Sequence, residues 1–120
     1  MKYLKIIGAA IMMVSCTAAI PIPPSPQANM KEIVANPAST LVDVRIPEQF
    51  AEKTAKGAVN IPLATIQENI DFFKNKGSIV VFCNSGKQSA EAMEILRKNG
   101  IENVYYGKTL KNIEAIQNEK

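Results

Sequence analysis

The amino-acid sequence predicts one α/β domain, in which helices flank a central, mostly parallel sheet of about four to five strands. Two observations support this fold class. Along residues 29–118, short apolar runs of strand length alternate with segments whose apolar residues recur at helical spacing. The run Ile79–Phe82 is apolar at every position, which is typical of a central strand buried on both faces. About a hundred residues suffice for one hydrophobic core, and we expect no second domain.

Residues 1–19 have the layout of a secretory signal peptide. A basic start with Lys2 and Lys5 precedes the apolar run Ile6–Val14, and small residues follow. The apolar run is too short to cross a bilayer as a helix. We therefore expect the protein to be exported to the periplasm or the cell envelope.

The end of this signal has two interpretations, which the sequence leaves open. Met13-Val14-Ser15-Cys16 resembles a bacterial lipobox, so that residues 1–15 would be a lipoprotein signal and Cys16 the lipidated residue that anchors the protein to the envelope. Ordinary cleavage near Ala18 or Ala19 also fits the small residues there. In either case the proline-rich segment 20–28 predicts an extended linker before a domain at 29–118.

The first helices and strands of the domain follow from local patterns. Met30–Val34 predicts a short amphipathic helix, and the β-branched run Leu41–Val44 predicts a buried strand. Pro47 suits the first turn of a second helix, with Phe50 and Ala51 facing inward.

The next segment predicts a short strand and a helix. Gly57–Pro62 reads as a strand that ends in a turn. Ile66, Ile70 and Phe73 fall at positions i, i+4 and i+7, which predicts the inner face of a helix ended by Asn75–Gly77.

The last third of the chain holds the clearest strand, Ser78–Phe82. A helix that ends at Asn99-Gly100 follows the next loop. A further strand at Asn103–Tyr106 and a closing helix over Leu110–Ile116 complete the predicted domain.

Composition excludes several classes of function. The sequence has no histidine, so a Ser-His-Asp triad, a Cys-His dyad and a histidine metal site are all excluded, and we expect no bound metal. Two cysteines, Cys16 and Cys83, are too few for a disulfide framework. The net charge is +3, and without Lys2 and Lys5 it is smaller still, with no basic stripe, so we expect no nucleic-acid binding.

Cys83 is the main candidate for chemistry. It lies directly after the strand Ser78–Phe82 and before a helix, and ligands of parallel α/β sheets bind beyond the carboxyl ends of the strands. The loop Asn84–Gln88 can turn its N–H groups inward, and Gly86 permits the left-handed backbone that this requires. The helix amino end and Lys87 add positive charge, which favours a thiolate. The sequence therefore predicts a thiolate nucleophile in an anion pocket.

The other side chains of this loop have two interpretations each. Ser85 and Ser89 can donate hydrogen bonds into the pocket, or serve as turn and helix-cap residues. The amides of Asn84 and Gln88 can contact a substrate or hold the loop.

Three motifs resemble the rhodanese family. Cys83–Ser89 is similar to the family's active-site loop, which runs from the cysteine to a helix. Asp43-Val44-Arg45, followed by Pro47–Phe50, is similar to an upstream family motif, and Gly57–Pro62 to a conserved turn. The order and spacing of these motifs, which cover residues 41–107, make the resemblance specific.

The resemblance implies a single rhodanese-like domain with thiosulfate sulfurtransferase activity and no cofactor. Cys83 would take the sulfane sulfur of thiosulfate as a persulfide and pass it to cyanide or a thiol. The partners are thus a small anionic sulfur donor and a thiophilic acceptor, and we expect a monomer. The implied substrate-binding residues are Asn84, Ser85, Gly86, Lys87, Gln88 and Ser89.

The resemblance also implies supporting roles. Asp43 and Arg45 are expected to be structural, with Arg45 paired to a glutamate. Gln88 stands where many rhodaneses have arginine, and the cation has moved to Lys87. Thr54 lies near the place of a missing family histidine, and we take it as structural.

Two other functions compete with sulfur transfer. A cysteine phosphatase also uses an anion-binding loop, but it needs arginine where this chain has Ser89 and usually histidine where it has Phe82. A non-catalytic envelope module for redox sensing or partner binding is the alternative from another class.

Overall fold

In the computed structural model, residues 26–119 are described, and they form a four-stranded parallel sheet with helices on both faces, which confirms the predicted fold class. The strands are β1 (Thr40–Asp43), β2 (Val59–Asn60), β3 (Ile79–Cys83) and β4 (Val104–Thr109). The α-helices are α1 (Pro26–Ala35), α2 (Pro47–Glu52), α3 (Ile70–Phe73), α4 (Lys87–Lys98) and α5 (Leu110–Gln117).

Helix α1 begins at Pro26, inside the segment 20–28 that the sequence assigns to the linker. Proline is accepted in the first turn of a helix, where its missing N–H needs no partner. The signal peptide, Cys16 and the cleavage position near Ala18 lie outside the described residues. Within residues 26–119, none of the helices combines the length and the apolar character needed to cross a bilayer.

The sheet order is β2-β1-β3-β4, so β3 is an interior strand with a parallel neighbour on each side. All five of its residues are buried, because its side chains alternate between two apolar clusters. Ile79, Val81 and Cys83 belong to the cluster that includes residues of α4, whereas Val80 and Phe82 belong to the cluster that includes residues of α1 and α5. Strand β3 therefore places Cys83 at the carboxyl edge of the sheet, on the face that α4 covers.

Two local predictions were wrong. The helix predicted around Ile66 and Ile70 is a 3₁₀ segment over Leu63–Asn69 that continues into α3. Its start is held by a hydrogen bond from Leu63 N–H to the Val44 carbonyl (2.9 Å), and the tighter 3₁₀ turn is common in such short connectors. Ala51, predicted to face inward, is exposed because the six-residue α2 buries no side chain.

A bulge interrupts the pairing of β3 with β4. Val81 lies opposite Tyr106 and the next residue of β3 lies opposite Lys108, so Gly107 is an extra residue. A Cβ at Gly107 would lie 2.7 Å from Val80 Cγ1 and 2.8 Å from the Val81 carbonyl oxygen, and the close approach explains the glycine. The bulge alters the direction of β4 next to Cys83.

Candidate active site

The loop after β3 surrounds the sulfur of Cys83 with backbone N–H groups. Gly86 N–H donates to Sγ at 3.0 Å and Ser89 N–H donates at 3.3 Å. Gly86 has φ 96°, a left-handed value that glycine adopts without strain, and a Cβ there would lie 2.6 Å from Tyr106 Oη. Cys83 is 1% exposed, so its sulfur lies at the floor of the loop. The loop therefore has the inward-facing N–H groups that the sequence predicts.

Ser89 contributes its hydroxyl as well as its N–H. Its Oγ lies 3.5 Å from Cys83 Sγ, 3.1 Å from the Gly86 carbonyl oxygen and 3.0 Å from the Lys108 carbonyl oxygen. The Cys83 thiol is also within 3.6 Å of the Lys108 carbonyl. A hydroxyl has one proton, so it donates to one of these acceptors at a time and can turn toward the sulfur when the sulfur is anionic. Ser89 is thus buried against the Cys83 sulfur as well as in the first turn of α4.

The remaining loop side chains are exposed: Asn84, Ser85, Lys87 and Gln88. Ser85 Oγ accepts a hydrogen bond from the Lys87 N–H at 3.4 Å. The Lys87 side chain lines an open groove between α4 and β4, together with Glu91 and Tyr106 among others, and Cys83 is not part of this groove. The structure thus places Gly86 and Ser89 against the sulfur and the other four residues at the outer side of the loop.

A buried ion pair lies at the end of β1. Arg45 donates from Nε to Asp43 Oδ1 at 2.9 Å and from Nη2 to Asp43 Oδ2 at 2.7 Å, and its N–H also donates to Oδ1 at 3.0 Å. Thr54 Oγ1 donates to Asp43 Oδ2 at 2.8 Å. The expectation that Arg45 pairs with a glutamate was therefore wrong. Asp43, two residues earlier in the chain, lies close enough for its two carboxylate oxygens to accept two hydrogen bonds from the guanidinium.

Arg45 is also the buried cation of this region. Its hydrogen bonds to Asp43 raise the pKa of Arg45 above its ordinary value, and burial opposes this increase. The guanidinium therefore stays charged while it is buried at the end of β1.

Asn84 connects this ion pair to the loop. Arg45 Nη1 donates to Asn84 Oδ1 at 3.3 Å, and Asn84 Nδ2 donates to Gln49 Oε1 at 3.1 Å. Sequence reasoning included Gln49 in a motif but gave it no role of its own. The Asn84 amide is thus oriented by two partners, which supports its interpretation as a residue that holds the loop.

The sequence model described as "Rhodanese-like domain" matches residues 26–108. The chain belongs to the rhodanese-like family. The resemblance of the three motifs to this family is thereby confirmed.

Named relatives and solved structures agree with this family. The E. coli thiosulfate sulfurtransferase PspE is 39% identical over 74 residues, which cover 60% of this chain and 71% of that protein. A solved structure described as a rhodanese with anions from E. coli has a TM-score of 0.58 and 38% identity, and the match covers 62% of this chain and 91% of that one. The human single-domain sulfurtransferase TSTD1 has a TM-score of 0.60 and 23% identity over 78% of this chain and 94% of its own, which supports the fold.

Sequence reasoning missed two residues of β4 that contact the candidate site. Tyr106 donates its hydroxyl to the Gly86 carbonyl oxygen at 3.0 Å, and Lys108 presents its carbonyl to Cys83 and Ser89. No local pattern marks either residue. Only the strand order, which puts the end of β4 beside the end of β3, reveals them.

The arrangement can hold a sulfur anion and present it as a nucleophile. Two backbone N–H groups and a rotatable hydroxyl contact Sγ, and the positive end of α4 points at the same place. None of these groups is a general base in reach of the sulfur. The site therefore suits chemistry in which the attacking atom is already an anion.

Proposed function

We propose that the protein is a thiosulfate sulfurtransferase that works through a persulfide on Cys83. In the first step the thiolate attacks the outer sulfur of thiosulfate, the sulfur–sulfur bond of thiosulfate breaks, and sulfite leaves with the bonding electron pair. In the second step cyanide or a thiolate attacks the outer sulfur of the persulfide, and the sulfur–sulfur bond of the persulfide breaks. The electron pair of that bond returns to Cys83 as the thiolate, and thiocyanate or a new persulfide leaves. Charge and atoms balance in both steps without a cofactor.

The observation that carries this proposal is the contact of Cys83 Sγ with the N–H groups of Gly86 and Ser89. Thiolate and persulfide are both anions, so donors aimed at this position stabilise the resting and the loaded form. The loop Cys83–Ser89 also resembles the family's active-site loop, and two relatives carry the name thiosulfate sulfurtransferase, one of them as putative.

Steady-state kinetics test the proposal. With thiosulfate and cyanide varied together, we expect thiocyanate formation with the parallel double-reciprocal lines of a two-step, ping-pong mechanism. Cys83→Ser should abolish the reaction while its circular dichroism spectrum matches that of the wild type. Intersecting lines, or a Cys83→Ser variant that retains activity, would rule out the persulfide route.

A non-catalytic envelope module for redox sensing or partner binding is the competing function. Rapid loss of the thiol with dilute peroxide, in a protein that makes no thiocyanate, would favour that function over sulfur transfer.

We also propose that the chain is exported, on the strength of its N-terminal pattern, with either lipidation at Cys16 or ordinary cleavage near Ala18. The substitution Cys16→Ser separates the two. A shift of the protein from the membrane to the soluble fraction indicates lipidation, and an unchanged soluble distribution indicates cleavage.

A further inference from the structure

Lys108 has a backbone conformation that lysine rarely adopts. Its φ is 68°, and among residues 26–119 the other non-glycine residue with a positive φ is Asn75, a type that tolerates this region. Lys108 lies at the bulge of β4, opposite β3. Bulges near active sites commonly redirect a side chain, and left-handed non-glycine residues commonly mark functional sites. The backbone conformation of Lys108 therefore points to a functional role for its side chain.

The backbone carbonyl and the side-chain stem of Lys108 both lie against the loop Cys83–Ser89. Its carbonyl oxygen is 3.0 Å from Ser89 Oγ and 3.6 Å from Cys83 Sγ. On the other side, its Cγ lies 3.0 Å from the position that a Cβ on Gly86 would take. The aliphatic stem thus packs over the buried glycine whose N–H donates to the sulfur, and the ammonium group is only three bonds further along the chain.

The charge of Lys108 is available to a ligand. The residue is exposed, and within the described range 26–119 the ion pairs with carboxylates involve other cations: Lys31, Arg45, Lys53 and Lys74. Lys87, the cation that the sequence singles out, differs because its side chain lines the α4–β4 groove, of which Cys83 is not part.

We propose that Lys108 binds the sulfonate end of a dianionic sulfur donor. This inference rests on the proposed function and deepens it. With the outer sulfur of thiosulfate directed at Cys83 on the floor of the loop, the three sulfonate oxygens face outward, toward the side over which the Lys108 stem lies. A lysine acts there as a point charge, which suits a rotationally symmetric SO₃ group. The residue is a specificity determinant for donor charge.

The test compares donors of different charge on matched variants. Lys108→Gln keeps much of the stem and removes the charge, Lys108→Arg keeps the charge, and Lys98→Gln removes a charge from the opposite end of α4. For the dianion thiosulfate we expect Lys108→Gln to raise KM about three- to fivefold with kcat little changed, because one solvent-exposed charge pair contributes no more than this to binding. For the monoanion methanethiosulfonate the increase should be smaller. Lys108→Arg and Lys98→Gln should stay within about twofold of the wild type.

The variant Lys108→Gly separates an effect on thiosulfate binding from an effect on the stability of the fold. Glycine adopts φ 68° freely, so this variant should melt at a higher temperature than the wild type and still show the raised KM for thiosulfate. A purely structural role for Lys108 would not raise KM in a stabilised protein. The proposal is overturned when Lys108→Gln leaves KM unchanged, or when Lys87→Gln gives the larger increase, in a protein that forms the Cys83 persulfide. A wild-type protein that forms no persulfide contradicts the proposed function itself, and the inference with it.

Discussion

Asp43→Asn should remove a large part of the domain's stability. The substitution keeps the shape of the side chain but replaces a carboxylate oxygen with an N–H donor. Asp43 is fully buried and accepts hydrogen bonds from the Arg45 guanidinium, the Arg45 N–H and the Thr54 hydroxyl. Without the carboxylate, the guanidinium stays buried as a cation with no carboxylate partner, because an arginine side chain does not lose its proton in a protein.

The expected loss is about 3–5 kcal/mol, the cost of removing one partner of a buried ion pair. Small domains have a free energy of unfolding of about 5–15 kcal/mol, so Asp43→Asn should leave the protein marginally stable. Thr54→Val is the matched control. It removes a single hydrogen bond to the same carboxylate with little change of shape, and it should cost about 1–2 kcal/mol.

Urea denaturation followed by circular dichroism measures both variants. We expect a lower midpoint with an unchanged slope, so that the difference reports stability alone. The raised pKa of Arg45 means that its stabilising charge is fully present below the unfolded-state pKa and is lost only as pH rises through the higher folded-state pKa. The deficit of Asp43→Asn should therefore not shrink between about pH 7 and pH 10. A deficit below about 1 kcal/mol would refute the reasoning, because it would show that the buried charge needs no partner.

Three further substitutions test the loop and the bulge. Gly86→Ala places a Cβ 2.6 Å from Tyr106 Oη at φ 96°, so sulfite release should fall at least about tenfold, and wild-type turnover would show that the loop geometry is not required. Tyr106→Phe removes the hydrogen bond to the Gly86 carbonyl and should cost about 1 kcal/mol in urea denaturation, with Tyr105→Phe as the control in the same strand. Gly107→Ala puts a Cβ 2.8 Å from a β3 carbonyl oxygen and should cost about 1–3 kcal/mol, and a variant as stable as the wild type would contradict the close approach.

The elements that local patterns define were predictable from the sequence. The all-apolar run before Cys83 is an interior strand, and Asn99-Gly100 ends α4, with Gly100 in a left-handed conformation. The position of Cys83 at the carboxyl edge followed from these two features. The 3₁₀ segment before α3 was not predictable, because residues such as Ile66 are buried with the same spacing in an α-helix and in a mixed helix.

The parts of the site that depend on strand order were not predictable. Tyr106 and Lys108 reach the loop only because β4 pairs with β3 and bulges at Gly107, and no periodicity in the sequence encodes that register. The partner of Arg45 was misassigned for a related reason. Which carboxylate a buried guanidinium selects is decided by the geometry at the end of β1, where Asp43 is closest.

The most direct test of the central claim is the intact mass of the protein after one treatment with thiosulfate. We expect the mass to increase by one sulfur atom, with one equivalent of sulfite released, and to return to its starting value on addition of cyanide. Cys83→Ser should show no change in mass. A wild-type protein that gains no sulfur, or a Cys83→Ser variant that gains it, would contradict the assignment of Cys83 as the persulfide-forming nucleophile.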